Sequence, residues 1–205
     1  MRRKIDISLK KQAKQSRAIA TFDSIVEAAT YILKRNGAAG FTANKVVEKA
    51  GVNIASFYQY FPNKEALLFQ ITKMHWEKQL VRLAPILNQR GPGHAKRLRD
   101  FVREFFLVEA SEVDLRQALR LASIDLRDTK EYRALISEGT ELFRGFIEDA
   151  MNGRKSENLG FDVDFVSILI TSFAEKATDT RSPDAVLIRQ ADVLSHMLIA
   201  HFEIA

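Results

Sequence analysis

The sequence of 205 residues contains no cysteine, which excludes disulfide bonds, thiol nucleophiles and thiolate metal sites. Proline and glycine are scarce, at four and nine residues, and residues that favour helices dominate. No segment has the alternating apolar and polar pattern that is typical of a half-buried strand. The simplest expectation is therefore an all-α protein.

Sequence motifs for common enzyme chemistry are also missing. The chain has no nucleophile elbow, no phosphate-binding glycine loop and no H-E-x-x-H pair. Carboxylates are plentiful, but no pair of them stands out from an ordinary helix surface. His196 and His201 are five residues apart, a poor helical spacing for one shared metal ion. We expect no enzyme activity, no catalytic residues, no metal site and no cofactor.

Long hydrophobic runs are absent as well. The longest charge-free apolar stretch, residues 165–174, is about half as long as a membrane span. The basic N-terminus is not followed by an apolar segment, so it does not resemble a signal peptide. These features predict a cytoplasmic protein that does not associate with membranes.

The charge is unevenly distributed along the chain. Residues 1–64 contain 12 Lys or Arg and 4 Asp or Glu, whereas residues 65–205 contain 19 and 22. A basic N-terminal third suits a polyanionic partner, although a solvated charge run at a terminus explains the same numbers. Residues 1–20 are predicted to form a basic arm that is flexible over residues 1–17 with helical character near its end, and that either reaches DNA or serves only as a solubilising tail.

Local signals divide the rest of the chain into helices. Apolar spacing predicts a first helix at 21–36, and Thr42 is placed to cap the second helix. Gly51 supplies a tight turn, Asn53 caps a short third helix, and Pro62 ends it. Asn63 caps a fourth helix at 64–83, which Pro85 should kink or end. Further helices are predicted at 94–110, 112–126, 128–152, 162–178 and 184–203, with loops at 88–94 and 152–161.

The third predicted helix carries a polar and aromatic surface over an apolar base. Phe57 and Phe61 are four residues apart and belong to that base. The outward side chains have the chemistry that binds DNA, since hydroxyl and ammonium groups contact phosphates, amides pair with adenine and small apolar groups contact thymine methyls. The phosphate candidates are Thr42, Tyr58, Tyr60 and Lys64, and the base candidates are Asn44, Gln59, Ile54 and Ala55. Each residue alone has an ordinary alternative as a helix cap or a surface residue, so only the joint arrangement favours DNA binding.

This arrangement resembles the DNA-binding domain of the TetR family of bacterial transcriptional regulators. The resemblance covers residues 21–68 and rests on the stretches 42–47, 50–52 and 57–67, which match the family's pattern in sequence and spacing. It implies an all-α homodimer with an N-terminal three-helix helix-turn-helix domain that binds a palindromic operator. It also implies a larger C-terminal helical domain for ligand binding and dimerisation. By the same resemblance, the expected DNA contacts are Thr42, Asn44, Ser56, Tyr58, Gln59, Tyr60 and Lys64. The predicted domains are 1–20, 21–66 and 67–205.

The last two predicted helices are candidates for a dimer interface. Residues 165–174 are apolar almost all round, and the final helix repeats apolar residues at spacings of four, three and four. We predict an interface of four helices, two from each copy. The predicted interface residues are Val166, Ile170, Phe173, Leu187, Ala191, Leu194, Leu198 and Phe202. From the residues alone an ordinary intramolecular core fits equally well, and the resemblance is what favours the dimer.

An effector pocket is expected among helices four to eight. The candidate lining residues are Met74, Trp76, Phe101, Phe105, Phe106, Phe143 and Phe146. Filling a hydrophobic core is the commoner role of such residues, so the alternative is that they only pack the domain.

The leading functional hypothesis is a homodimeric repressor that binds double-stranded operator DNA and is released by a small-molecule effector of unknown identity. The alternative is a non-catalytic helical adaptor whose basic arm binds an acidic partner. The two differ in one respect, because an adaptor does not distinguish an operator from a random duplex.

Overall fold

The computed structural model describes residues 5–91, 93–123, 126–151 and 158–204. Within these ranges the chain forms nine α-helices, one 3-10 turn at Ala38–Gly40 and no strand, which confirms the all-α prediction. The helices are α1 (Ser16–Asn36), α2 (Ala43–Ala50), α3 (Ile54–Tyr60), α4 (Lys64–Asn88), α5 (His94–Ser111), α6 (Val113–Ala122), α7 (Lys130–Ala150), α8 (Leu159–Asp179) and α9 (Asp184–His201).

The chain divides into two compact units. The N-terminal unit comprises Met1–Trp76 and Asp114–Arg133, and the C-terminal unit comprises Glu77–Val113 and Ala134–Ala205. The predicted domain boundary after residue 66 differs from this grouping. Ile71 of α4 and Leu115 and Leu119 of α6 are buried in the same core as α1, α2 and α3. The helix-turn-helix is thus supported by residues from distant parts of the sequence.

Helix α1 begins five residues before the predicted start at residue 21. The added residues, Ser16–Ala20, are mostly small or polar and carry no clear apolar spacing, so the sequence did not define where the helix starts. Further along, Ile25, Ile32 and Leu33 bury one face of α1 in the N-terminal core, as their helical spacing requires. The helix ends as predicted, because Gly37 adopts a φ of 64° and donates its N–H to Leu33 O at 3.0 Å.

Helix α4 does not end near residue 83. Pro85 lies inside the helix, which continues to Asn88. Pro85 is exposed, while Leu83 and Leu87 on either side are buried in the C-terminal core. An internal proline costs about 3 kcal/mol because it removes one backbone hydrogen bond. Burial of the flanking leucines offsets that cost, and Arg97 donates to Leu87 O at 2.7 Å near the helix end.

Helices α5, α8 and α9 form the centre of the C-terminal unit. Phe106 of α5, Ile170 of α8 and Leu187 of α9 are fully buried in one cluster. Helix α8 begins at Leu159, three residues earlier than predicted, because Asn158 accepts a hydrogen bond from the N–H of Phe161 at 3.2 Å. The loop predicted at 152–161 falls mostly on residues 152–157, which lie outside the described residues.

An ion pair connects α5 with α9 in the C-terminal unit. Arg103 donates through Nη2 to Asp192 Oδ2 at 2.9 Å and through Nε to Asp192 Oδ1 at 2.5 Å. The hydrogen bonds from Arg103 hold the pKa of Asp192 below its usual range, and Asp192 in turn raises the pKa of Arg103. The two-point geometry fixes the orientation of both side chains.

None of the described helices is both long enough and apolar enough to cross a membrane.

Candidate nucleic-acid interface

The turn between α2 and α3 is built by local hydrogen bonds. Thr42 Oγ1 accepts from the N–H of Lys45 at 3.3 Å and Asn53 Oδ1 accepts from the N–H of Ser56 at 2.7 Å, so both predicted N-caps are confirmed. Gly51 ends α2 with φ 67° and ψ 29°, a left-handed conformation that residues with a Cβ rarely adopt. These contacts set the direction in which α3 leaves the turn.

Aromatic side chains form the base beneath α3. Phe57 and Phe61 are fully buried, and their ring centroids are 5.5 Å apart. Phe22 of α1 stacks on Phe61 at 5.3 Å and meets the edge of Tyr60 at 5.6 Å. The packing of these rings ties α3 to α1 and holds its opposite face toward solvent.

The outward face of α3 carries four of the nine predicted DNA contacts. Tyr58 is 46% exposed and Ile54 is 39% exposed. The ring of Tyr58 rests edge-on against Phe57 with centroids 5.1 Å apart, so its position is fixed although its surface is open. The other predicted contacts that are exposed are Ala55, Gln59, Thr42, Asn44 and Lys64.

Two predicted contacts are placed differently. Tyr60 was expected to be exposed, but it is only 4% exposed and its hydroxyl donates to Ala18 O at 3.2 Å. It points inward because position 60 lies on the same side of the short helix as Phe57. Ser56 is half-buried, and its hydroxyl donates to the cap oxygen of Asn53 at 3.0 Å. Tyr60 is therefore a scaffold residue.

The expectation of a flexible arm is wrong for the part that the structure describes, residues 5–15. Ile7 is 5% exposed and belongs to the N-terminal core, with Ile5, Leu9 and Ala13 packed beside it. Residues 1–4 of the predicted arm lie outside the described residues. Lys10, Lys11 and Lys14 remain exposed, so the positive charge of the segment still faces solvent.

One aromatic and basic group on α1 and α2 was not predicted. Tyr31 is 47% exposed, and Lys49 Nζ lies 4.2 Å from its ring centroid. Arg35 lies 6.0 Å from the same ring. Tyr31 and Arg35 are neighbours because they are four residues apart on α1, and the packing of α1 against α2 brings Lys49 to the same ring. They extend the basic surface beyond the helix-turn-helix.

The comparison with protein families matches this region. Residues 25–71, which include the whole of α2, the turn and α3, match the model of the bacterial regulatory proteins of the tetR family. The N-terminal region of the chain is thus similar to the DNA-binding domain of tetR-family transcriptional regulators. No curated protein sequence is significantly similar to the chain.

Solved structures resemble the chain over most of its length. A Mesorhizobium loti protein assigned to the tetR family is 18% identical, with a TM-score of 0.72 over 91% of this chain and 98% of its own. FadR from Bacillus subtilis in complex with stearoyl-CoA is 18% identical, with a TM-score of 0.67 over 87% and 97%. FadR from Bacillus halodurans, a fatty acid degradation regulator, is 15% identical, with a TM-score of 0.69 over 90% and 96%. At these identities the likeness shows the fold.

The residues predicted to line an effector pocket lie in both units of the chain. In the C-terminal unit the phenylalanines pack on one another, with Phe101 meeting Phe143 edge-on at 5.1 Å and stacking on Phe105 at 6.0 Å. In the N-terminal unit Met74 is 41% exposed. Trp76 is partly buried, and its Nε1 has no hydrogen-bond partner in the part of the chain that the structure describes. Their role in effector binding stays a prediction. The remaining pocket candidates, both buried, are Phe106 and Phe146.

The predicted dimer-interface residues are mostly interior, which corrects the prediction. Six of them are at most 2% exposed within the single chain, namely Val166, Ile170, Leu187, Ala191, Leu194 and Leu198. Phe202 is packed against the same core, and only Phe173 is substantially exposed, at 37%. The stripe at spacings of four, three and four is buried within the chain, where α9 packs against α5.

A second apolar stripe on α8 and α9 remains exposed. Phe161, Phe165 and Ile168 recur at helical spacing on α8, and Val193 and Met197 do so on α9. Ile168 is 63% exposed and Met197 is 61% exposed. We call these five residues the exposed stripe; Val186 on α9 is also exposed.

The described residues contain no group of three or more His, Asp or Glu side chains placed to hold a metal ion. His94 and Arg97 both bond to Asp149, at 2.9 and 3.0 Å. Arg97 and then His94 lower the pKa of Asp149 through these bonds. Arg97 also lies over the ring of Phe146 at 5.5 Å, so this cluster has a packing role.

Proposed function

We propose that this chain is a homodimeric repressor that binds a palindromic operator and is released by a small-molecule effector. The observation that carries the DNA-binding part is the outward face of α3, where Tyr58 and Ile54 are exposed above a buried aromatic base. The net positive charge of residues 1–64 supplies the attraction to phosphate that every DNA-binding protein needs.

The proposed contacts divide by the part of DNA that they touch. Tyr58, Thr42 and Lys64 bind phosphates and position the protein without reading sequence. Gln59 and Asn44 pair with adenine edges in the major groove, and Ile54 and Ala55 contact thymine methyl groups. Ser56 is half-buried and its hydroxyl is bonded to the cap oxygen of Asn53, so it is a weaker candidate. Tyr60 has no place in this set, because its hydroxyl is already bonded inside the unit.

The exposed stripe is the proposed dimer interface. Monomeric proteins seldom leave several large apolar side chains open on adjacent helices, and α8 and α9 pack against each other. Two copies joined by these helices form a four-helix interface with twofold symmetry. Operator binding by such a dimer requires that its two copies of α3 reach neighbouring turns of one duplex, which are about 34–36 Å apart.

An effector releases such a dimer only through differential affinity. A ligand that binds better to a form with another spacing of the two α3 helices lowers the operator-bound population. The class of effector to test first is a long-chain acyl-CoA, because a structure of similar fold, FadR from Bacillus subtilis, holds stearoyl-CoA.

The DNA-binding proposal is tested by selecting duplexes from a randomised pool with the purified chain. The expected product is a palindrome with half-sites about one helical turn apart. Gln59→Ala should relax the preference at one base position by about 1–3 kcal/mol. Lys64→Gln should weaken binding to all sequences equally, and it should reduce the slope of log affinity against log salt concentration by about 1. Enrichment of no sequence by the folded wild-type chain would contradict the proposal. Stearoyl-CoA is then added to the selected complex, with free CoA as the control.

The dimer is tested by sedimentation at micromolar protein. Ile168→Glu places a charge in the middle of the exposed stripe and should give monomers. Val81→Glu is the matched control, because Val81 is also strongly exposed, at 78%, but lies on α4 outside the stripe. A wild-type chain that sediments as a monomer would refute the proposed interface.

A further inference from the structure

The chain before α1 is attached to the end of α3 by specific hydrogen bonds. The backbone N–H of Lys10 donates to Tyr60 O at 2.9 Å, and Lys10 Nζ donates to Tyr58 O at 3.3 Å. From the turn after α3, Asn63 Nδ2 donates to Asp6 O at 2.8 Å. Ile7 lies between these contacts and is buried in the N-terminal core.

The end of α3 has a particular need for outside donors. The last carbonyl groups of a helix have no partner within the helix. In a longer helix the N–H of residue 62 would bond to Tyr58 O, but Pro62 has no N–H. Phe61 closes the helix by donating to Phe57 O at 3.0 Å, which leaves Tyr58 O and Tyr60 O for other donors. Lys10 supplies both.

A positive charge at this end is also favourable. The carbonyl groups at a helix C-terminus carry partial negative charge, and a lysine ammonium group stabilises it. Helix α3 has seven residues and is too short to be stable without tertiary contacts. Residues that complete its last turn therefore affect how firmly the whole helix is held.

We propose that residues 5–10, here called the N-terminal brace, position α3 for DNA binding. The effect on DNA binding rests on the proposed function, whereas the claim that residues 5–10 hold α3 in place rests on the contacts alone. Ile7 and Lys10 are positioning residues: they act through α3 and need not touch DNA. The basic residues of this segment would otherwise be assigned only to electrostatic contact with phosphates.

The structural part is tested by residue-resolved amide hydrogen exchange. Ile7→Ser removes the buried anchor without changing charge, and Gln12→Ser is its control at an exposed position of the same segment. Lys10→Gln removes the ammonium donor, and Lys11→Gln removes the same charge from the exposed neighbour. Loss of one hydrogen bond should speed exchange of the α3 amides by roughly tenfold relative to those of α2. Equal acceleration in both helices, or none in either, would overturn the proposal. If Ile7→Ser fails to fold, Lys10→Gln decides the question.

The functional part is tested on a duplex selected by the wild-type chain. Ile7→Ser and Lys10→Gln should weaken binding several-fold under conditions where the protein is folded, with an unchanged dependence of affinity on salt. A salt slope reduced by about 1 for Lys10→Gln would identify Lys10 as a phosphate contact and refute its positioning role. If the wild-type chain selects no duplex, the proposed function fails, whereas hydrogen exchange still decides whether the brace holds α3.

Discussion

Tyr58 and Tyr60 allow the proposed role in DNA binding to be tested apart from the role in stability. Removal of one hydroxyl group from each tyrosine should affect a different one of these two properties. Tyr60 is 4% exposed and donates to Ala18 O at 3.2 Å, while its ring contacts Phe22 edge-on. Tyr60→Phe keeps the ring and removes only the hydrogen bond, so it should lower the free energy of unfolding by about 1 kcal/mol. Operator affinity should fall less than with Tyr58→Phe at a temperature where the protein is folded, because the Tyr60 hydroxyl does not face DNA.

Tyr58→Phe should have the opposite effect. Tyr58 is 46% exposed and its ring is held by Phe57, so removal of the hydroxyl should change stability by less than about 0.5 kcal/mol. Loss of one hydrogen bond to phosphate should weaken operator binding about fivefold, close to 1 kcal/mol. Urea denaturation and fluorescence anisotropy with a selected duplex measure the two effects. The reasoning is refuted if Tyr60→Phe weakens DNA binding as much as Tyr58→Phe and leaves stability unchanged.

Three further outcomes follow from the packing and the ion pairs. Gly51→Ala places a Cβ on a residue with φ 67° and should lower the free energy of unfolding by about 1 kcal/mol, although the space around Gly51 is open. Leu194→Ala should lower the free energy of unfolding by about 2–5 kcal/mol, because Leu194 is buried within the chain. Val193→Ala should leave the free energy of unfolding of a monomer nearly unchanged, because Val193 is exposed. Both substitutions are measured in the Ile168→Glu monomer. Asp192→Asn removes a carboxyl whose pKa is lowered by Arg103. At neutral pH the wild type should therefore have a larger free energy of unfolding than Asp192→Asn. This difference should disappear as the pH falls through the lowered pKa of Asp192, because the carboxylate becomes protonated. Denaturation midpoints of the two proteins at a series of pH values measure this, and an advantage that does not change on acidification would contradict the ion-pair explanation.

The helix-turn-helix was predictable because its signals are local. Thr42, Asn53 and Asn63 each accept a hydrogen bond from an N–H three residues later, so the cap and the helix that it begins lie in the same short stretch of sequence. Gly51 and Pro62 act on the backbone conformation at their own positions. Burial of Phe57 and Phe61 followed from their spacing. These features needed no knowledge of the rest of the chain.

The orientation of Tyr60 and the path of residues 5–15 depended on distant partners. The oxygen that accepts from the Tyr60 hydroxyl belongs to Ala18, and the carbonyl groups that accept from Lys10 belong to Tyr58 and Tyr60. A basic segment with few apolar residues looks flexible in sequence, because a single buried anchor such as Ile7 does not produce a periodic pattern. The contacts exist only after α1 has packed against α3.

The sequence by itself determined the class of fold, the limits of most helices and the presence of a helix-turn-helix motif, since each of these depends on interactions between residues close in the chain. Tertiary structure decided which of two apolar faces of α8 and α9 was used. Both faces have apolar residues at helical spacing, so the sequence pattern does not distinguish Leu194 from Val193. Only packing against α5 buries Leu194 and leaves Val193 on the surface.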